Sequence, residues 1–226
     1  MPQAATYSIV DCDGHILEPP SVWEEYVEPA FRDRALEAMR IVHEGNMSYW
    51  IVEGKSLVHM GSGLIRAGTF RPGATREEIA LLGENGGRWE AGPMTPGGFD
   101  PHERIKDMDL MGINIAVLYP TTFAMVGAVQ EPRVAAALAR GYNDWITNYC
   151  SPYPDRLFGV AVIPLQNVAQ AVLELNRVVR TGLKAATVRP NLLKGKPLHH
   201  PDFDPFWQAA EEIGVPGALH PAPMID

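Results

Sequence analysis

The chain has 226 residues, 46% apolar and 20% charged, the make-up of an ordinary globular protein rather than a disordered or low-complexity one. A net charge of −8 and an isoelectric point near 5.4 argue against nucleic acid or an acidic membrane surface as partner. No apolar run reaches the roughly 18 residues of a membrane span, the opening MPQAAT lacks a signal-peptide pattern, and Cys12 and Cys150 fit free thiols in a reducing cytoplasm.

The first predicted strand covers 7–13, with β-branched Ile9 and Val10 and a polar end. Pro19, Pro20 and Pro29 then interrupt the chain around Trp23 and Tyr26, before a short helical stretch at 35–40. Tyr49-Trp50-Ile51-Val52, Glu53-Gly54 and Lys55-Ser56-Leu57-Val58 read as a β-hairpin with a tight turn. Glycine and proline dominate from there to Gly98, apart from one small helix opened by a Thr75/Glu78 capping box. Residues 41–98 hold too little periodic apolar content to bury a core, so they read as an insertion after the first strand, a flap, within one domain.

From residue 100 the rhythm is regular. Asp100 and Pro101 suit the N-cap and first position of a helix that runs to Met111 and stops at Gly112. A strand at 113–119 follows, then a helix at 131–150 with Ala135, Leu138, Tyr142, Trp145, Ile146 and Tyr149 at helical spacing. The third strand is 157–163, the next helix starts at Asn167 and ends at Gly182, and the fourth strand is 184–188. A helix over 204–213 ends at Gly214, and 215–219 is the fifth strand. Such alternation with short links implies right-handed crossovers and a parallel sheet, an α/β chain of the (β/α) barrel type. No glycine-rich phosphate loop follows any strand, which disfavours a nucleotide fold.

Side chains at the C-terminal tips of parallel strands face the region where barrels do chemistry. Asp13 and His15 are two apart, so an extended strand points both to one side, and His220 stands at the matching tip of the fifth strand. A carboxylate with imidazoles suits a divalent ion such as zinc, whereas an Asp-x-His pair alone is more often an incidental turn or hydrogen-bonded pair than a ligand set. Arg189, after the fourth strand, suits either a fork on a substrate carboxylate or a structural role before Pro190. Trp23 either walls a pocket or packs a loop, and His199 with His200 either lines the substrate side or is a solvated loop pair. His43, His59 and His102 lack partners at ligand spacing, and no nucleophile elbow or Cys–His pair is evident.

Five stretches taken together carry a resemblance: VDCDGHILEP (10–19), RIKDMDLMGINIAVLYPT (104–121), PDRLFGVAVIPL (154–165), GLKAATVRPN (182–191) and DFDPFWQAAEEIGVPGALHP (202–221). They resemble the amidohydrolase-related family, in the branch of aminocarboxymuconate-semialdehyde and aromatic-acid decarboxylases, with 41–98 matching only loosely. The resemblance implies a metal-dependent (β/α)8 barrel that hydrolyses or decarboxylates a small carboxylated, cyclic or aromatic substrate. It places Asp13 and His15 on the first two ligand positions and His220 on the ligand after strand five. Zinc is the first choice of ion, with manganese or magnesium as alternatives, and a homo-oligomer is implied.

Two departures stand out. The family's first ligand is more usually His or Glu, and Asp13 has a shorter reach. A histidine after strand six and an aspartate after strand eight have no counterpart in the sequence, so the acid–base groups are expected beyond Asp226 and the barrel is expected to be C-terminally truncated, with about five strands. The competing expectation is a catalytically silent fragment kept for oligomer contacts, because an unclosed sheet leaves edges that invite pairing. In an oligomer, the hairpin is expected to pack Trp50 against a second subunit.

Overall fold

The computed structural model describes residues 7–44, 47–61 and 96–220. The expected small helix at Thr75 and most of the 41–98 insertion lie outside them.

Strand β1 (Val10–His15) opens the fold. Its boundaries sit three residues later at the start and two at the end than the polar end of the sequence suggested, because it is fixed by pairing with a later strand rather than by its own apolar residues. Residues Val22–Tyr26 then form one π-helical turn, and Arg32–Ala38 form helix α1. The helix expected at 35–40 thus lies earlier. Met39–Glu44 is strand β2, one edge of an antiparallel sheet with β3 (Met47–Val52) at its centre and β4 (Lys55–Gly61) at the other edge. The predicted hairpin is the β3–β4 pair, with Glu53 and Gly54 both at positive φ in its turn. Trp50 is buried against the chain's own core, which corrects its expected role on a partner subunit.

Helix α2 (Pro101–Met111) begins where the Asp100 side chain accepts hydrogen bonds from the His102 and Glu103 amides, and ends at Gly112 with φ 72°. Strand β5 (Ile115–Tyr119) follows, with Ala116 and Leu118 buried and the intervening residues half-buried. Helix α3 (Pro132–Cys150) buries the stripe Ala135, Leu138, Tyr142, Trp145, Ile146 and Tyr149. It covers β6 (Leu157–Val162), whose centre is buried on both sides. Helix α4 (Val168–Arg180) has Asn167 as N-cap, accepting from the Gln170 amide. Strand β7 (Ala185–Val188), helix α5 (Asp204–Ile213) and strand β8 (Gly217–Leu219) complete the described chain.

The five long-range strands pair in parallel in the order β1-β5-β6-β7-β8. Successive strands are neighbours after β1, as right-handed crossovers through α3, α4 and α5 require. Among the described residues, β1 and β8 are the edges of this sheet.

Candidate metal centre

The C-terminal ends of β1, β5 and β8 meet at one place. His15 is in register with Tyr119, and Leu219 with Val188, so His220 emerges one residue beyond its strand. A register shift between Asp11 and Gly14 bends β1 just before its tip, a device that re-aims side chains. Gly14 is needed there: a Cβ would lie 3.0 Å from the Asp11 carboxylate and 3.2 Å from the Val117 carbonyl oxygen.

Asp13, His15 and His220 form the one group of three acidic or imidazole residues, among the described residues, whose ligand atoms all lie within 4.8 Å of one another. Asp13 Oδ1 is 3.3 Å from His220 Nε2 and 4.0 Å from His15 Nε2. The two imidazoles meet edge-to-face with centroids 4.9 Å apart, and the Tyr119 ring lies 5.1 Å from that of His220. Burial, and after it the neighbouring His220, hold the His15 imidazole below its ordinary pKa; Asp13 and the Pro120 carbonyl oppose them. A neutral imidazole is the form that ligates. One carboxylate and two imidazoles converging at strand tips fit a divalent ion by donor chemistry.

Of the other sequence candidates, Arg189 emerges one residue beyond Val188, the register partner of Leu219, and so leaves the tip of β7 beside His220. It is half-buried and lines a cavity with Gly127, Ile163, Leu165 and Leu198. It is so close to Gly127 that a Cβ there would sit 2.9 Å from Arg189 Cβ. Trp23 is buried and packs on Phe123 at 4.5 Å. It also lines a cleft of about 210 Å³ with Glu18, Leu36, Arg40 and Ile41, and Asp13, His15 and His220 are not among the described residues lining that cleft. His199 is exposed, while its neighbour His200 accepts from the Asp202 amide. His102 bonds to the Tyr153 hydroxyl, away from the three clustered residues.

Three residues that hold the site are not evident from sequence motifs. Arg104 reaches from α2 to donate to the His15 carbonyl oxygen and, through Nε, to that of Gly97 at 2.9 Å. Thr121 places its hydroxyl 3.3 Å from His15 Nδ1. Glu18, fully buried, accepts from the backbone amides of Thr121, Thr122 and Phe123.

Comparisons with known proteins bear on the family and the fold. Gamma-resorcylate decarboxylase of a Rhizobium species is 36% identical over 124 residues, covering 52% of this chain and 38% of that enzyme. The 2-amino-3-carboxymuconate-6-semialdehyde decarboxylase of Dictyostelium discoideum is 30% identical over 128 residues, covering 56% and 35%. The matches thus span well under half the length of these curated relatives. Among solved structures, an amidohydrolase of Mycobacterium avium subsp. paratuberculosis superposes with a TM-score of 0.69 at 20% identity, over 96% of this chain and 59% of that one. The 5-carboxyvanillate decarboxylase of Novosphingobium aromaticivorans, complexed with manganese and 4-hydroxy-3-methoxy-5-nitrobenzoic acid, superposes with a TM-score of 0.59 at 23% identity, over 96% and 51%. The five-stranded parallel sheet is therefore half of a barrel of this type. The amidohydrolase family model matches residues 10–226, and the chain belongs to the amidohydrolase family.

Proposed function

We propose that this chain carries the divalent-metal site of a decarboxylase acting on small, hydroxylated aromatic or related unsaturated carboxylic acids. The observation that carries the reading is the convergence of Asp13, His15 and His220 at the tips of β1 and β8. The decarboxylases among its relatives supply the reaction class. Hydrolysis of a small carboxylated compound is the second chemistry, open to the same donors within the amidohydrolase family.

Asp13 Oδ1, His15 Nε2 and His220 Nε2 would hold the ion. When bound, it supplies Lewis-acid polarisation of a substrate oxygen. Ligand type favours zinc, while the manganese complexed with 5-carboxyvanillate decarboxylase favours manganese. The residues' own task is to present lone pairs. Burial beside a second imidazole favours the neutral form of His15, and the Tyr119 ring walls the site on the β5 side. Arg189 would take a substrate carboxylate in its planar fork, and Trp23 and His199 would border the substrate side. Residues 41–98 would act as a flap within a single domain. A homo-oligomer in the cytoplasm is the proposed setting; no helix among the described residues is long and apolar enough to cross a membrane.

The test is release of labelled CO2 from carboxyl-13C 2,6-dihydroxybenzoate by the natural protein carrying this chain, loaded in turn with manganese and zinc. Metal-dependent release supports the reading. A metal-loaded protein that leaves hydroxybenzoates intact overturns the decarboxylase assignment and favours hydrolysis or a silent chain.

A further inference from the structure

The hydrogen bonds around His15 fix more than its position. Nδ1 lies 3.1 Å from the Pro120 carbonyl oxygen, which can only accept. It also lies 3.3 Å from the Thr121 hydroxyl, whose single proton is directed to the Ile16 carbonyl oxygen at 2.6 Å. Both neighbours of Nδ1 are therefore acceptors. The neutral ring must carry its proton on Nδ1 and keep its lone pair on Nε2, the atom facing Asp13.

The segment that presents these two acceptors is itself held by one carboxylate. Glu18 Oε1 accepts from the Thr121 amide at 2.9 Å and the Phe123 amide at 3.2 Å, and Oε2 accepts from the Thr122 amide at 2.9 Å. Glu18 stands three residues after His15 and is wholly buried. Three amides in a row aimed at one acid leave the Pro120–Thr121 unit little freedom.

We propose that Glu18 is a positioning residue: through the backbone of Thr121 to Phe123 it sets the Pro120 carbonyl and Thr121 hydroxyl that lock His15 in the Nδ1–H tautomer, with Nε2 free for a metal. The consequence for metal affinity rests on the proposed metal site; the tautomer itself does not. Outer partners that orient a ligating imidazole typically carry roughly 10- to 100-fold in metal affinity. Glutamine is isosteric with glutamate, but its amide NH2 would face a backbone N–H donor where a carboxylate oxygen now accepts, so Glu18→Gln breaks the clamp with little change in volume.

The experiment is 15N–1H correlation of the imidazole nitrogens in the metal-free full chain, followed by titration with Mn2+. Wild type is expected to show a single Nδ1–H tautomer at His15. Glu18→Gln is expected to retain its far-ultraviolet dichroism, show mixed tautomers, and bind Mn2+ roughly 10-fold or more weakly. Thr121→Val, which keeps the amide to Glu18 and removes only the hydroxyl acceptor, is expected to give a smaller effect of the same sign. It also serves as the test if Glu18→Gln does not fold. A wild-type His15 in the Nε2–H form overturns the proposal, as does a folded Glu18→Gln with unchanged tautomer. If Mn2+ fails to bind wild type while the tautomer responds as described, the metal-site reading fails and the positioning role stands.

Discussion

Asp13 Oδ1 and His220 Nε2 lie 3.3 Å apart, although one belongs to the first strand and the other follows the last described strand. These strands are the two edges of the described parallel sheet, so no backbone ladder joins them directly. The pair therefore links the ends of the sheet across its mouth.

An ion held between those ends stabilises the folded chain by mass action. At a free ion concentration about 100 times the dissociation constant, the gain is about 2.7 kcal/mol. Thermal unfolding of the chain is expected to shift upward with Mn2+ or Zn2+ and return with chelator. Asp13→Asn, which keeps size and removes the charge, is expected to lose most of that shift. An equal shift in Asp13→Asn would assign the stabilisation to other groups.

Glu18 gives a pH signature. Burial pushes its carboxyl up from 4.5 to about 6, outweighing the four backbone amides, its own included, that favour its charge, with the buried Tyr142 phenol as a titratable neighbour. The folded chain therefore holds this proton where the unfolded chain has released it. The Glu18 contribution is complete below about 4.5 and is lost as pH rises through about 6, a change of about 2 kcal/mol. Urea unfolding of wild type against the non-titrating Glu18→Gln should show wild type losing ground by that amount between pH 4.5 and 7. A difference independent of pH would contradict the assignment.

Gly141 sits within α3 where the helix meets the end of the Val22–Tyr26 turn. Alanine would gain about 1 kcal/mol of helix propensity. Its Cβ, however, would lie 2.9 Å from Val27 Cγ2 and 3.2 Å from both the Tyr26 carbonyl carbon and the Val27 nitrogen. Two of those three atoms are backbone and cannot rotate away. Overpacking costs of about 1–3 kcal/mol then exceed the propensity gain, so Gly141→Ala is expected to lower the urea midpoint. A raised midpoint would show that the turn can yield.

Asn143 on α3 acts as a missing strand partner for β6. Its Oδ1 accepts from the Val162 amide at 2.8 Å, and its Nδ2 donates to the Val162 carbonyl at 3.0 Å and to Glu174 at 2.7 Å. All of these bonds are buried, and truncation strands several polar groups at once at about 1–3 kcal/mol each. Asn143→Ala is expected to cost about 3 kcal/mol in equilibrium unfolding, well beyond an exposed change such as Gln208→Ala. A loss near zero would mean that water replaces the side chain.

The parts of the fold that were legible in sequence are those with local causes. Asp100, Asn167 and the glycines at 112 and 214 mark helix ends because a cap is decided by neighbouring residues, and the helices begin and end beside them. Asp13, His15 and His220 could be paired in advance because strand tips in a parallel α/β chain share one face. Strand β2 was not legible: Met39–Glu44 has only Ile41 and Val42 as β-formers, and its state depends on pairing with β3. Glu18, Arg104 and Thr121 were equally hidden, since their partners are backbone groups on distant elements and leave no pattern of residue types.

The most direct test of the central claim is metal content per chain by elemental analysis after loading with Mn2+ or Zn2+ and gel filtration, in wild type, His220→Ala and His102→Ala. His102 bonds to Tyr153 outside the clustered group and serves as the control. Close to one ion is expected in wild type and in His102→Ala, and a large loss in His220→Ala. Equal occupancy in all three, or none in wild type, would contradict it.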